Sequence, residues 1–162
     1  MAETHPAHRS VGTADADELN TGARRDSAED VPATPTTGGP RILVVDDDAY
    51  VHVGIRAALK GLRGEIRTAS SGREALEITA EFRPQVAILD VGLPDTDGYQ
   101  LADDLRAMHD FAGLRIIFLT GYLPDQLSVD VAGGNLFLGK PYRMHVLLDA
   151  VKRQLGAVAA GE

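Results

Sequence analysis

The sequence contains no cysteine. Disulfides, thiolate metal sites and a thiol nucleophile are thereby excluded together, which fits a reducing compartment. Tryptophan is also absent, and aromatic residues make up only 5% of the chain, against an ordinary apolar content of 44%. No apolar run approaches the roughly 20 residues needed to cross a bilayer as a helix. The opening residues, MAETHPAHRS, lack the basic region and apolar core of a secretory leader. These absences lead us to expect a cytoplasmic protein with no membrane partner. A basic excess is missing as well, since 16 Lys and Arg face 24 Asp and Glu for a net charge of −8. Residues 1–40 hold three Arg against seven acids, and the remainder holds thirteen basic residues against seventeen acids. Neither segment offers the basic block that direct nucleic-acid binding requires, and the charge by itself names no partner.

What is present falls into two textures. The 162 residues allow one ordinary domain with a modest extension. Residues 1–40 are rich in Ala, Thr, Pro, Gly and Asp without apolar periodicity, and VPATPTTGGP reads as a linker or disordered tail. From Arg41 onward, short apolar runs alternate with helical periodicity. RILVV (41–45), EIRTAS (65–70), QVAILDV (85–91), RIIFLT (115–120) and LFLG (136–139) read as five strands. Helices are expected over 49–62, with Gly61 and Gly64 as its stop, over 72–82 ending before Pro84, and over 99–109. A short fourth helix is expected near Pro124 to Val131, and a last one over 142–156 closed by Gly156, leaving 157–162 as a tail. Alternation of this kind indicates a parallel sheet covered by helices on both faces, with ligands gathering beyond the carboxyl ends of the strands.

Four of those strand ends are polar. LVVDDD places Asp46, Asp47 and Asp48 after the first strand, Asp90 interrupts the third, Thr120 ends the fourth, and Lys140 follows the fifth. Adjacent carboxylates repel one another, so a cluster of them on one rim calls for a cation. Without Cys or a clear His set, the donors select a hard ion, Mg²⁺ or Mn²⁺, over zinc. A carboxylate beside such an ion can accept a phosphoryl group, while a lysine and a threonine hydroxyl offset charge on the phosphoryl oxygens. Asp48 reads more simply as the cap of the first helix, Asp97 as the cap of the third, and Asp95 as a turn residue.

ILVVDDD, VAILDVGLPDTDGY, IIFLTGY and LFLGKPY resemble, in family order, the signatures of the response-regulator receiver domain of two-component signalling. The resemblance covers about residues 41–156. It implies a flavodoxin-like α/β fold, a doubly wound five-stranded parallel sheet of order 2-1-3-4-5 with five helices. It further implies that Asp90 is the phosphoacceptor and that Asp46 and Asp47 supply the metal pocket, with Gly92 adding a backbone carbonyl. Thr120 corresponds to the switch hydroxyl, Lys140 to the phosphate-pairing lysine ahead of a typically cis Pro141, and Phe137 to the aromatic that reports phosphorylation. A sensor histidine kinase or histidine phosphotransfer protein would donate the phosphoryl group, and a downstream protein target would read the change.

Departures from the family pattern are confined to one region. Gly121 stands where Ala is usual, and VAGGNL (131–136) replaces a regular helix end, so the fourth helix is expected to be short. The expected architecture has no room for an output domain, so the resemblance points to a single-domain regulator that catalyses only its own phosphorylation and dephosphorylation. Two alternatives come from other classes. An aspartyl-phosphate phosphohydrolase usually carries a second Asp two residues after its nucleophile, where this chain has Gly92. A receiver-like adaptor that binds partners without phosphorylation usually lacks the acceptor or the acidic pocket, and this chain keeps both.

Overall fold

A computed structural model of the protein describes residues 38–108, 113–122, 127–130 and 134–161, giving the backbone course alone over 127–130. The tail expected over 1–40 lies almost wholly outside the described residues. In chain order the elements are β1 (Arg41–Val45), α1 (Ala49–Leu59), β2 (Glu65–Ala69), α2 (Gly72–Phe82), β3 (Val86–Asp90) and α3 (Gly98–Ala107). They continue with β4 (Arg115–Thr120), β5 (Leu127–Asp130), β6 (Asn135–Gly139) and α4 (Met144–Ala160).

One sheet holds all six strands, in the order β2-β1-β3-β4-β6-β5. The first five in that list are parallel, and they realise the order expected from the sequence, with β6 as the expected fifth strand. Each central strand is an apolar run buried on both faces, as a helix-covered parallel sheet demands. Alternate residues feed two cores. Ile42, Val44, Ile88, Ile117 and Leu138 pack with α1 and α4. Leu43, Val45, Leu89, Ile116 and Phe118 pack with α2 and α3.

Three expectations about elements need correction. The helix expected near Pro124 to Val131 is not found over its described part, because Leu127–Asp130 is a strand antiparallel to β6, with Leu127 opposite Leu138. Without it, β6 would leave one row of backbone donors and acceptors unpaired at the sheet edge, and pairing decides the matter over a weak local pattern. The described residues accordingly contain four α-helices rather than five. The last helix also passes through Gly156 and runs to Ala160, where Gly161 caps it in the left-handed conformation at φ 72°. At α1 the chain leaves the helix through a 3₁₀ turn over Lys60–Leu62, and the left-handed residue is Arg63 rather than either flanking glycine.

Candidate functional site

In a parallel sheet the carboxyl ends of all strands share one rim, and ligands bind where the chain changes direction between neighbouring strands. Here that point lies between β1 and β3, which pair along Ile42–Val45 and Val86–Leu89. Asp46 continues the β1 ladder by donating its backbone N–H to the Ala69 carbonyl at 3.1 Å, which turns its side chain into the rim. Asp90 closes β3, and both carboxyls are buried, Asp46 at 1% and Asp90 at 8% exposure. Asp47 is exposed beside them. Carboxylate oxygens of Asp46, Asp47 and Asp90 all lie within 4.8 Å of one another.

Lys140 completes the group from the other side. Its backbone N–H donates to the Thr120 carbonyl at 2.7 Å, which extends the pairing of β4 and β6 by one residue. The side chain then reaches across the rim, with Nζ 3.1 Å from Asp90 Oδ1 and 3.4 Å from Asp46 Oδ2. The Lys140–Pro141 peptide is cis. Thr120 is buried at the end of β4, and its Oγ1 accepts the Tyr122 backbone N–H at 3.2 Å. Burial pushes the Asp46 carboxyl above its usual pKa; the Asp48 N–H and the Lys140 charge only partly counter this. Burial also acts to lower the Lys140 ammonium, but its hydrogen bond to Asp90 and the charges of Asp46 and Asp90 outweigh it and hold the pKa up.

The donor set suits a hard divalent ion. Three carboxylates against one ammonium leave surplus negative charge in a partly buried place, and oxygen-only donors with one open side match an ion that keeps several waters. Gly92 sits in the exposed turn after β3, where its backbone bridges to Asp97. Gly98 has to be glycine here, since a Cβ would overlap the Asp90 carbonyl oxygen. Asp48 and Asp97 cap α1 and α3 as read from sequence, accepting from Tyr50 N at 2.8 Å and Tyr99 N at 2.7 Å.

The family model for the response regulator receiver domain matches residues 42–152. The chain belongs to this family. Among curated relatives, the transcriptional regulatory protein PrrA of Mycobacterium leprae is 34% identical over 123 residues, covering 74% of this chain and 53% of PrrA. The receiver therefore spans about half the length of the curated relatives it matches. Among solved structures, the BeF3-activated receiver domain of DrrB, from Thermotoga maritima, is 30% identical with a TM-score of 0.61, covering 73% of this chain and 98% of that one. A CheY-like receiver from Methanospirillum hungatei JF-1 is 25% identical with a TM-score of 0.65, over 76% and 98%.

Around the receiver's rim the structure adds contacts that the sequence reading did not give. Phe137 is half-buried and stacked on Phe118, with ring centroids 5.1 Å apart, and Phe118 in turn lies 4.8 Å from Tyr99 of α3. Asp95, read as a turn residue, accepts the backbone N–H of Gly72 at 2.9 Å through Oδ1 and that of Arg73 at 3.0 Å through Oδ2. Those two bonds hold the carboxyl below its usual pKa. A signal for this existed in the first turn of α2. A helix start leaves four backbone N–H groups without helical partners, and the Ser71 side chain serves just one of them, that of Glu74.

Proposed function

We propose that this receiver accepts a phosphoryl group on Asp90 from a phosphohistidine of a sensor kinase or histidine phosphotransfer protein, and signals through contacts with a downstream protein. The observation that carries the reading is the convergence of Asp46, Asp47 and Asp90 with the Lys140 ammonium 3.1 Å from the Asp90 carboxylate. Asp90 Oδ attacks phosphorus, the P–N bond of the donor breaks, and its electron pair leaves with the imidazole nitrogen, which takes up a proton. Asp46, Asp47, Asp90 and the Gly92 carbonyl would hold Mg²⁺ or Mn²⁺, which neutralises charge on the phosphoryl oxygens during transfer. Lys140 pairs with one of those oxygens once the acyl phosphate forms, exchanging its present contact with the carboxylate. Thr120 turns its hydroxyl toward the phosphoryl group, and Phe137 follows to bias the surface of β6 and α4.

Several features support the partner reading. Tyr50 and Val53 of α1, Tyr122 after β4, and Met144 at the start of α4 are exposed apolar side chains on elements that border the rim. The domain at 41–156 is proposed as the phosphorylated unit, acting in the cytoplasm and without direct contact to nucleic acid. Absence of cysteine fits that compartment. The test is incubation of the protein with acetyl phosphate and Mg²⁺, read by intact mass and phosphate-affinity electrophoresis, alongside Asp90→Ala. A stable adduct that Asp90→Ala abolishes is expected. No adduct would favour the adaptor, and rapid turnover of varied phosphoesters would favour the phosphohydrolase.

A further inference from the structure

We propose that Asp95 is a positioning residue for the acidic pocket: by clamping the turn after β3 to the first turn of α2, it sets the affinity of the pocket for a divalent cation. The inference rests on reading Asp46, Asp47 and Asp90 as a cation pocket with Gly92 offering its carbonyl.

The turn over residues 91–97 begins at the very end of β3. Its start is held to the sheet, where Val91 donates its N–H to the Leu119 carbonyl of β4 at 3.0 Å and Val91 and Leu93 pack on the core. Its remaining backbone ties are local, with Gly98 donating its N–H to the Val91 carbonyl at 3.0 Å, Gly92 bridging to Asp97, and Asp97 capping α3. The local bonds fix the internal shape of the turn, and the sheet anchors its first residues rather than the stretch around Asp95. Asp95 ties the far part of the turn to a second element, α2. Its two oxygens reach 22 and 23 residues back along the chain to Arg73 N and Gly72 N. A carboxylate on two N–H groups at a helix start is charge-assisted and favoured by the helix dipole.

The opposite side of the junction is shaped to match. A Cβ at Gly72 would overlap the Cγ2 of Thr96 and stand 3.6 Å from Asp95 Oδ1, so the turn approaches α2 this closely because residue 72 has no side chain. The cap of α2 is divided between two agents. Ser71 Oγ serves Glu74 N at 3.2 Å, and Glu74 Oε2 returns to Ser70 N at 2.7 Å, both within the helix's own neighbourhood. Asp95 serves the two preceding N–H groups from outside. Helix stability and turn position can therefore be separated by mutation.

Cation affinity is the property that a misplaced turn would change. Mg²⁺ and Mn²⁺ tolerate little error in donor placement, and loss of a residue that orients a metal ligand typically weakens binding by about 10- to 100-fold. The test uses the full-length protein and Mn²⁺ alone as the probe, with affinity read by water-proton relaxation. Amide exchange at Gly72 and Arg73 in the metal-free protein reports the clamp itself. Asp95→Ala should weaken Mn²⁺ binding by about tenfold or more and deprotect both amides, with Asp95→Asn falling between it and the wild type. Ser71→Ala should lower the melting temperature while keeping Mn²⁺ affinity. Gly72→Ala, which pushes the turn away with Asp95 intact, should reproduce the affinity loss. Wild-type affinity in Asp95→Ala, or an equal loss in Ser71→Ala, overturns the inference while the cation pocket stands. Failure of the wild type itself to bind Mn²⁺ removes the pocket and the inference together.

Discussion

Single atoms account for several properties of this receiver. Thr79 lies in α2 with no exposure, and its hydroxyl has no hydrogen-bond partner. A buried hydroxyl that has lost water and gained nothing costs about 1–3 kcal/mol. Valine has the same branched shape, so Thr79→Val should raise stability by about 1 kcal/mol in urea unfolding. An unchanged or lower midpoint would mean that the hydroxyl is satisfied. Gly121 is a second case. A Cβ added there meets nothing within 4 Å, so alanine fits without displacing anything. On the proposed phosphorylation of Asp90, a methyl next to Thr120 is expected to shield the acyl phosphate from water. Gly121→Ala should leave the melting temperature nearly unchanged and slow dephosphorylation by up to about tenfold, an access barrier of about 1.4 kcal/mol. Equal decay rates for the two proteins would show that position 121 does not gate water.

At the scale of elements, the sequence and the structure part company where neighbours, rather than local pattern, decide. The central strands were legible because RILVV, VAILD and RIIFLT are short buried runs with few competing readings. The four residues LSVD of β5 carry no such pattern, and their strand depends on the open side of β6. Gly156 looked like a helix stop by local rule, yet α4 continues through it, since Ala157 to Ala160 favour helix and Leu155 still packs on the core. The two readings predict opposite outcomes. A Cβ at 156 meets open space, so in a helix interior Gly156→Ala should add about 0.5–1 kcal/mol of stability. A destabilised Gly156→Ala would restore the earlier helix end. The tie between α2 and the β3–α3 turn has a pH signature as well. Asp95 titrates below its usual range because the bonds from Gly72 and Arg73 favour its ionised form. The stability it contributes is complete above its unfolded pKa, near ~3.9, and disappears as pH falls through the lower folded value. The melting-temperature gap between wild type and Asp95→Asn should therefore hold from neutral pH down to about 5 and close below about 4. A gap that persists in acid would assign the effect to shape rather than charge.

For the molecule as a whole, the site was more legible than its supports. Chain order alone brings Asp46, Asp90, Thr120 and Lys140 to one rim, because parallel strands must all end on the same side. The reach of Lys140 to both Asp46 and Asp90 follows from the sheet order, in which β3 lies between β1 and β4. The open N–H groups of α2 were a legible signal, but Asp95 as their acceptor was not, because that pairing depends on how a turn folds in space. That convergence also leaves a global liability. Three carboxylates share one rim in a chain already at −8, and burial holds one of them above its usual pKa. A divalent ion that binds the folded rim and not the unfolded chain must therefore stabilise the whole domain. At ten times its dissociation constant the gain is about 1.4 kcal/mol, or a few degrees in melting temperature. Screening of the net charge would give a smaller rise with any salt, so the comparison is Mg²⁺ against NaCl at equal ionic strength. Mg²⁺ should raise the melting temperature well beyond NaCl and saturate. In Asp47→Ala, whose exposed side chain leaves the core untouched, the two salts should act alike. An equal response to both salts in the wild type would mean that the carboxylates tolerate their proximity through Lys140 alone.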